Sequence, residues 1–173
     1  LSSSVALAQV SLSQNSSGSN VFSLVGKKDK ACVYYDAQDF EVVKTTAGLF
    51  ANDVKEVSGQ ILGVATTKEA PQKNCIIVGT LGHNEWIDQM IADVEPLKDR
   101  WESYLVQLVR NPLPGVDKAL VIVGSDRRGA AYGLLSVSRT IGVSPWYWWA
   151  DAPIVKKDQL HMKVDKYISK EPT

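Results

Sequence analysis

Residues 119–142 read ALVIVGSDRRGAAYGLLSVSRTIG, an apolar run followed directly by a segment with helical periodicity. The run at 119–123 has no polar residue on either face, which is typical of a strand buried in the centre of a parallel sheet. Apolar and small residues then recur at intervals of three and four, which predicts a helix over 127–141. Gly142 ends this helix, because glycine readily adopts the left-handed conformation of a C-terminal cap. The stretch therefore predicts a strand, a short turn and a helix.

Two further helices are predicted upstream. The clearest covers residues 39–58, where an apolar stripe recurs every three or four residues. Asp36 or Asp39 is its expected N-cap, and Ser58-Gly59 is its expected stop. The second helix is expected to start at a cap formed by Asn84 and to run to about residue 94.

Short apolar runs between these helices predict strands. They lie at 21–25, 31–35, 61–65, 75–78 and 104–109. His161 stands in an alternation of polar and apolar residues and is expected to be an ordinary strand residue. Helices separated by short strands predict an α/β fold, with a small, mainly parallel or mixed sheet and about three helices.

Length and charge exclude several classes of protein. The 173 residues suffice for one domain, and 19 basic residues are balanced by 19 acidic ones. We expect no nucleic-acid partner, because that binding depends on clustered, uncompensated lysine and arginine. We also expect no membrane partner, since no uninterrupted apolar stretch approaches the roughly 20 residues that span a bilayer.

The cysteines and the first 20 residues bear on the compartment. Cys32 and Cys75 lack the spacing of zinc ligands, and we predict that they are buried free thiols. A disulfide between adjacent strands is the alternative, which requires an oxidising compartment. Residues 1–20 are rich in Ser and Asn, and Ala6-Leu7-Ala8 resembles a signal-peptide cleavage site. We expect these residues to be a disordered leader or signal remnant outside the fold, and the protein to be periplasmic or extracellular.

The segment GSDRRG, residues 124–129, joins the predicted strand to its helix, where backbone N–H groups can hold an anion. Its glycines have the spacing of a phosphate loop, but alanines follow where Lys and Ser or Thr are required. A carboxylate or phosphate bound by the two arginines is one interpretation. We favour the other, in which Ser125 or Asp126 caps the helix, Gly129 permits close packing and the arginines form ion pairs at an interface.

No catalytic constellation, metal-ligand set or cofactor motif is recognisable in the sequence. His83 has no nucleophile near it in sequence, which favours an exposed turn residue over a general base. Glu85 with Asp88, and Asp36 with Asp39, have the spacing of helix faces and turns, and nothing marks them as the carboxylate pair of a glycosidase.

An aromatic run follows the last predicted helix. Trp146, Tyr147, Trp148 and Trp149 occupy consecutive positions. Because such rings bury about 150–250 Å² each, the segment needs several hundred Å² of covering surface. We expect it either to fold back over the domain or to be covered by something outside this chain.

Residues 119–153 closely resemble the end of the N-terminal domain in glycoside hydrolase family 115, the xylan α-1,2-glucuronidases. The specific parts are GSDRRG with the Tyr-Gly that follows it, and IGVSPWYWWAD at 141–151. Residues 76–82 and Trp101-Glu102 also fit the family pattern, so the resemblance covers most of residues 21–165.

This resemblance implies a non-catalytic accessory domain at 21–165, with a linker at 166–173. In the family, the leading α/β domain precedes a (β/α)₈ barrel that holds the catalytic carboxylates, and no position here matches them. The barrel of the same polypeptide and a xylan-type polysaccharide are the implied partners. The residues expected at the domain junction or substrate rim are Arg127, Arg128, Trp146, Tyr147, Trp148, Trp149 and Asp151.

The implied activity belongs to the whole enzyme. It is the release of glucuronic acid, or its 4-O-methyl ether, from glucuronoxylan without a metal or organic cofactor. This chain alone is expected to be inactive. One alternative is a carbohydrate-binding module whose tryptophans at 146–149 stack on sugars, although consecutive strand residues point in alternate directions. The other is an accessory domain of a hexosaminidase or of a family 67 α-glucuronidase.

Overall fold

The computed structural model describes residues 10–144 and 153–169, which form nine strands and three α-helices. The strands are β1 (Val10–Ser13), β2 (Val21–Val25), β3 (Cys32–Tyr35), β4 (Gly63–Thr66), β5 (Asn74–Thr80), β6 (Tyr104–Arg110), β7 (Lys118–Gly124), β8 (Leu160–Val164) and β9 (Tyr167–Ile168). The helices are α1 (Glu41–Ser58), α2 (Glu85–Met90) and α3 (Arg127–Thr140), with a 3₁₀ turn at Glu95–Leu97.

Six of the strands form one mixed sheet in the order β4-β3-β5-β7-β6-β9. The neighbours from β4 to β7 are parallel, whereas β6 is antiparallel to both β7 and β9. The remaining strands form a small antiparallel sheet in the order β1-β8-β2. The predicted fold class, an α/β fold with a mixed sheet and three helices, is confirmed.

The large sheet is covered on both faces, which explains why its central strands are apolar throughout. On β5, Ile76 and Val78 face a core that includes α1, α3 and the small sheet. Their neighbours Cys75 and Ile77 face a second core that includes Ile87 of α2. Successive strand residues point to opposite faces, so a strand between two layers must be apolar at every position.

Two predicted boundaries are corrected by the strand pairing. Residues 10–13, assigned above to the leader, form β1 and pair with β8; Val10 lies opposite Val164. Residues 167–168, assigned to the linker, form β9 and pair with β6. Both pairings join segments more than 60 residues apart in sequence, so local composition did not indicate them. Residues 1–9 and 170–173 lie outside the described residues.

The ends of the first two helices also differ from the prediction. Neither Asp36 nor Asp39 caps α1: the N-cap position is Phe40, without a side-chain cap. Asp39 accepts a hydrogen bond from Thr80 N instead, at 2.7 Å, because the end of β5 lies beside it. Gly59 ends α1 in the left-handed conformation, as predicted. Asn84 does cap α2, but this helix ends at Met90 and not near residue 94.

The cysteines are adjacent but not bonded. Cys32 of β3 lies opposite Cys75 of β5 in the parallel register, and both are buried free thiols. Burial raises the pKa of Cys75 to about 12 and also raises the pKa of Cys32. The prediction of buried free thiols is therefore confirmed. His161 is confirmed as a strand residue of β8; its Nδ1 lies 2.7 Å from Ser23 Oγ.

The orientation of α1 predicts a large loss of stability when one residue is replaced and almost none when its neighbour is replaced. Phe50 is 1% exposed in the core and Leu49 is 56% exposed. We expect Phe50→Ala to lower the free energy of unfolding by about 3–5 kcal/mol through lost burial and a cavity. Leu49→Ala changes it by less than about 0.5 kcal/mol. Urea denaturation followed by circular dichroism measures both, and equal losses would contradict the assigned face of α1.

Candidate functional site

The carboxyl edge of the large sheet is the place where a ligand crevice is expected. Strand β4 lies on one side of β3 and β5 lies on the other, so the direction in which strands are added reverses between β3 and β5. Open α/β sheets bind ligands at such a reversal, outside the carboxyl ends of the strands. Here the crevice lies between residues 36–40, which follow β3, and residues 81–84, which follow β5.

This crevice is occupied by the protein's own side chains. The ring of Phe40 lies 4.8 Å from the ring of His83, centroid to centroid, and joins the two loops. The hydrogen bond between Asp39 and Thr80 N joins them again. Arg127 lies above the Phe40 ring, with its guanidinium carbon 5.7 Å from the ring centroid. The arrangement holds the loops together, and His83 is the exposed turn residue favoured by its sequence context.

The GSDRRG segment caps and packs α3. Asp126 Oδ1 accepts a hydrogen bond from Gly129 N at 2.8 Å, so the protein's own carboxylate occupies the N-terminus of the helix. A Cβ atom on Gly129 would lie 2.2 Å from Ser103 O, and one on Gly124 would lie 2.0 Å from Ala130 N. Both glycines are required by close backbone packing, and the capping interpretation is confirmed for Asp126. An anion at this helix N-terminus would meet the Asp126 carboxylate.

A loop before β6 is bound tightly to this segment. Glu102 N donates to Asp126 Oδ2 at 2.9 Å, and Ser103 N donates to Ser125 Oγ at 3.1 Å. The Arg128 guanidinium pairs with Glu102 Oε1 at 2.8 Å, and this hydrogen bond raises the pKa of Arg128. The loop is thereby fixed against the start of α3.

The same loop holds Trp101 out of the protein. The side chain is 78% exposed, and the loop is strained, because Asp99 and Glu102 have φ angles of 55° and 54° without being glycine. Left-handed conformations of this kind are costly and persist where the surroundings impose them. Trp101 entered the sequence analysis only through the family pattern, and Phe40 was not singled out at all. The available signal was a large aromatic residue in a polar loop: Phe40 directly precedes α1, and Trp101 lies three residues before β6.

The structure brings together part of the predicted junction residues. Arg127 and Arg128 are exposed at the start of α3, beside Phe40 and the Trp101 loop. We call the surface formed by Phe40, His83, Trp101, Arg127 and Arg128 the carboxyl-edge surface. Trp146, Tyr147, Trp148, Trp149 and Asp151 lie outside the described residues, so their predicted role stays a prediction.

The carboxyl-edge surface is suited to packing and ion pairing. Across residues 10–144 and 153–169, His, Cys, Asp and Glu side chains form no group of three arranged to hold a metal ion. Within the same ranges, no helix combines the length and apolar character needed to cross a bilayer. What the surface offers chemically is two guanidinium groups, two large aromatic rings and the His83 imidazole.

No protein-family model and no curated protein matches the chain. A solved structure is similar to it: BtGH115A, a family GH115 4-O-methyl-α-glucuronidase with specificity for decorated arabinogalactans. The chain resembles one domain of a glycoside hydrolase. The TM-score is 0.66 at 28% sequence identity, over 86% of this chain and 18% of that chain.

A second solved structure, CpGH84D, aligns with this chain over 92% of this chain and 22% of the CpGH84D chain. Its TM-score of 0.48 at 10% identity is too low to carry an argument. This chain spans about a fifth of the length of BtGH115A, at 18%. The α/β fold matches a domain of a GH115 glucuronidase, and the activity of a whole enzyme is a separate question.

The packing of the GSDRRG segment predicts contrasting effects for two helical glycines. Gly129→Ala places a Cβ against Ser103 O, and we expect it to lower the free energy of unfolding by about 3 kcal/mol through overpacking. Gly48→Ala in α1 meets no atom within 4 Å and is expected to stabilise by up to about 1 kcal/mol. Urea denaturation compares them, and a neutral Gly129→Ala would show that the loop before β6 does not approach α3 this closely.

Proposed function

We propose that this chain is the N-terminal, non-catalytic α/β domain of a secreted GH115 α-glucuronidase. The single observation that carries the proposal is the structural similarity to BtGH115A over 86% of this chain. The family resemblance of residues 119–153 is an independent indication from the sequence. The catalytic carboxylates are proposed to lie in a (β/α)₈ barrel elsewhere in the same polypeptide.

The geometry of the carboxyl edge supports a structural role over a catalytic one. The crevice at the strand reversal is crossed by the Phe40–His83 ring contact and by the Asp39–Thr80 hydrogen bond. A substrate entering there would have to displace both. Asp126, the carboxylate at the end of β7, is already engaged by Gly129 N and Glu102 N.

The carboxyl-edge surface is the proposed docking surface for the barrel. An indole that is 78% exposed leaves a large apolar area in water, and such areas mark contact surfaces. Aromatic and arginine side chains are enriched at the cores of protein interfaces. The backbone directly after Trp101 is fixed by the hydrogen bonds of Glu102 N and Ser103 N, so little loop entropy is lost when a partner covers the indole.

The proposed substrate is a polysaccharide that carries glucuronic acid or 4-O-methylglucuronic acid side chains. Xylan is the backbone implied by the family resemblance. The specificity of BtGH115A for decorated arabinogalactans makes arabinogalactan the second polysaccharide to test. Polymers of this size do not cross membranes, which supports a periplasmic or extracellular location.

The activity is tested on the parent protein that contains this chain. We expect the purified parent to release 4-O-methylglucuronic acid from glucuronoxylan, measured by anion-exchange chromatography, and the 173-residue chain alone to release none. Decorated arabinogalactan is assayed in parallel. Release by the chain alone would contradict its non-catalytic role, and a parent inactive on both polysaccharides would contradict the proposed family.

Docking is tested with Trp101→Ala in the parent and in the isolated chain. We expect the isolated chain to keep its Tm, because the indole is exposed there, and the parent to lose on the order of 2 kcal/mol of interdomain stabilisation. The matched control is Leu49→Ala, another exposed apolar residue, on the outer face of α1. Calorimetry measures the thermal unfolding of each variant, in the parent and in the isolated chain, against the unchanged protein. Equal effects of Trp101→Ala in both contexts would exclude this surface as the interface.

A further inference from the structure

A groove crosses the opposite edge of the large sheet, where the parallel strands begin. One cavity of about 420 Å³ is lined by residues 25–30, which precede β3, by Gln60 before β4, and by Asp158 and Gln159 before β8. A second cavity, of about 490 Å³, lies along residues 71–74 before β5 and near Asp117 before β7. Asp29 and Lys30 line both cavities, so the two lie side by side. We call this pair of adjacent cavities the amino-edge groove.

The side chains that line the groove are cations, amides and carboxylates. The first cavity carries Lys27, Lys28 and Lys30, and the second adds Lys73. The amide groups belong to Gln60, Gln72, Asn74 and Gln159. Lysines outnumber the aspartates, which are Asp29, Asp117 and Asp158. The groove therefore combines a surplus of positive charge with many hydrogen-bonding groups.

The turn at the centre of the groove is held in place. Gly26 N donates to the backbone oxygen of Asp29 at 2.8 Å, and Asn74 Nδ2 donates to the Asp29 carboxylate at 3.3 Å. Lys30 Nζ donates to the backbone oxygen of Ile61 at 2.8 Å, which ties the turn to the segment before β4. These contacts fix the walls of the groove and lower the conformational cost of binding a ligand.

Two of the lysines are available to a ligand. Lys27 and Lys28 are exposed, and within the described residues neither forms an ion pair. An ammonium group without a carboxylate partner loses no existing ion pair when an anionic ligand arrives. A ligand that carries a carboxylate among hydroxyl groups matches this lining, because the lysines pair with the carboxylate and the amides bond to the hydroxyls.

We propose that the amino-edge groove is a binding site for uronic-acid-bearing segments of a polysaccharide. This inference rests on the proposed function, which supplies the class of polymer. Each cavity falls within the range of about 300–1,000 Å³ that is usual for small-molecule sites. The groove lies at the edge opposite the carboxyl-edge surface, so it stays open when that surface is covered by a barrel. A site of this kind holds the polymer near the enzyme and raises the local concentration of substrate.

The test uses the full 173-residue chain in affinity gel electrophoresis with polymers cast in the gel. The probes are glucuronoxylan, the same xylan after enzymatic removal of its uronic acid side chains, and poly-glutamate as a polyanion without sugar rings. We expect retardation by glucuronoxylan only, weakened by added NaCl because exposed charges are screened. The variant Lys27→Gln/Lys28→Gln is expected to raise the dissociation constant about tenfold.

The matched control is Lys55→Gln/Lys68→Gln, which removes the same charge from two exposed lysines, on α1 and after β4, that form no ion pair within the described residues. We expect this control to bind like the original chain. The inference is overturned if the chain binds no polymer, if debranched xylan or poly-glutamate binds equally well, or if both double variants weaken binding alike. If the parent protein releases uronic acid but the 173-residue chain binds no polymer, the groove proposal alone is overturned. If the parent protein is inactive but the chain binds glucuronoxylan, the proposed enzyme activity alone is overturned.

Discussion

The pairing of β5 with β7 is the constraint on which the rest of the structure depends. These strands are parallel over their full length, from Asn74 opposite Lys118 to Thr80 opposite Gly124. Their interior residues are apolar on both faces, so both faces must be covered. α1, α3 and the small sheet cover one face, and α2 with the 3₁₀ turn covers the other. Because the two strands end side by side, the loops that follow them meet at one edge.

That meeting of loops sets the character of the carboxyl edge. Leu81 N donates to Gly124 O, and Ser125 N donates to Ser103 O, so the backbones after β5, after β7 and before β6 are joined directly. Glycine at 124 and 129 is what allows this approach. The tight backbone contacts leave the large side chains nearby, Trp101 and Phe40, on the outside. The edge that usually accommodates a ligand is therefore closed within the chain and presents aromatic rings and arginines outward.

The two edges of the sheet have different chemistry, which gives the domain two distinct surfaces. The carboxyl-edge surface is aromatic and guanidinium-rich, as is typical of protein interfaces. The amino-edge groove is lined by lysines and amides, with no large aromatic ring among its lining residues. The parallel arrangement separates these surfaces by the length of the strands. The proposed docking surface and the proposed binding groove therefore lie at opposite edges of the sheet.

Periodicity and local chemistry were enough to establish the elements of this protein. The apolar run at 119–123 and the stripe at 127–141 predicted β7 and α3 closely, because burial on one or two faces leaves its period in the chain. Asn84 and Gly59 were identified as caps because the capping hydrogen bonds of each are made to its own helix. The prediction of Asp39 as a cap was wrong, because its carboxylate accepts a hydrogen bond from Thr80 N across the crevice. Residues 10–13 and 167–168 were misassigned because each pairs with a strand far away in the sequence, which local composition does not reveal. Three features join segments tens of residues apart: the closed crevice, the loop that carries Trp101 and the amino-edge groove. Only the packing of the sheet brings such segments together.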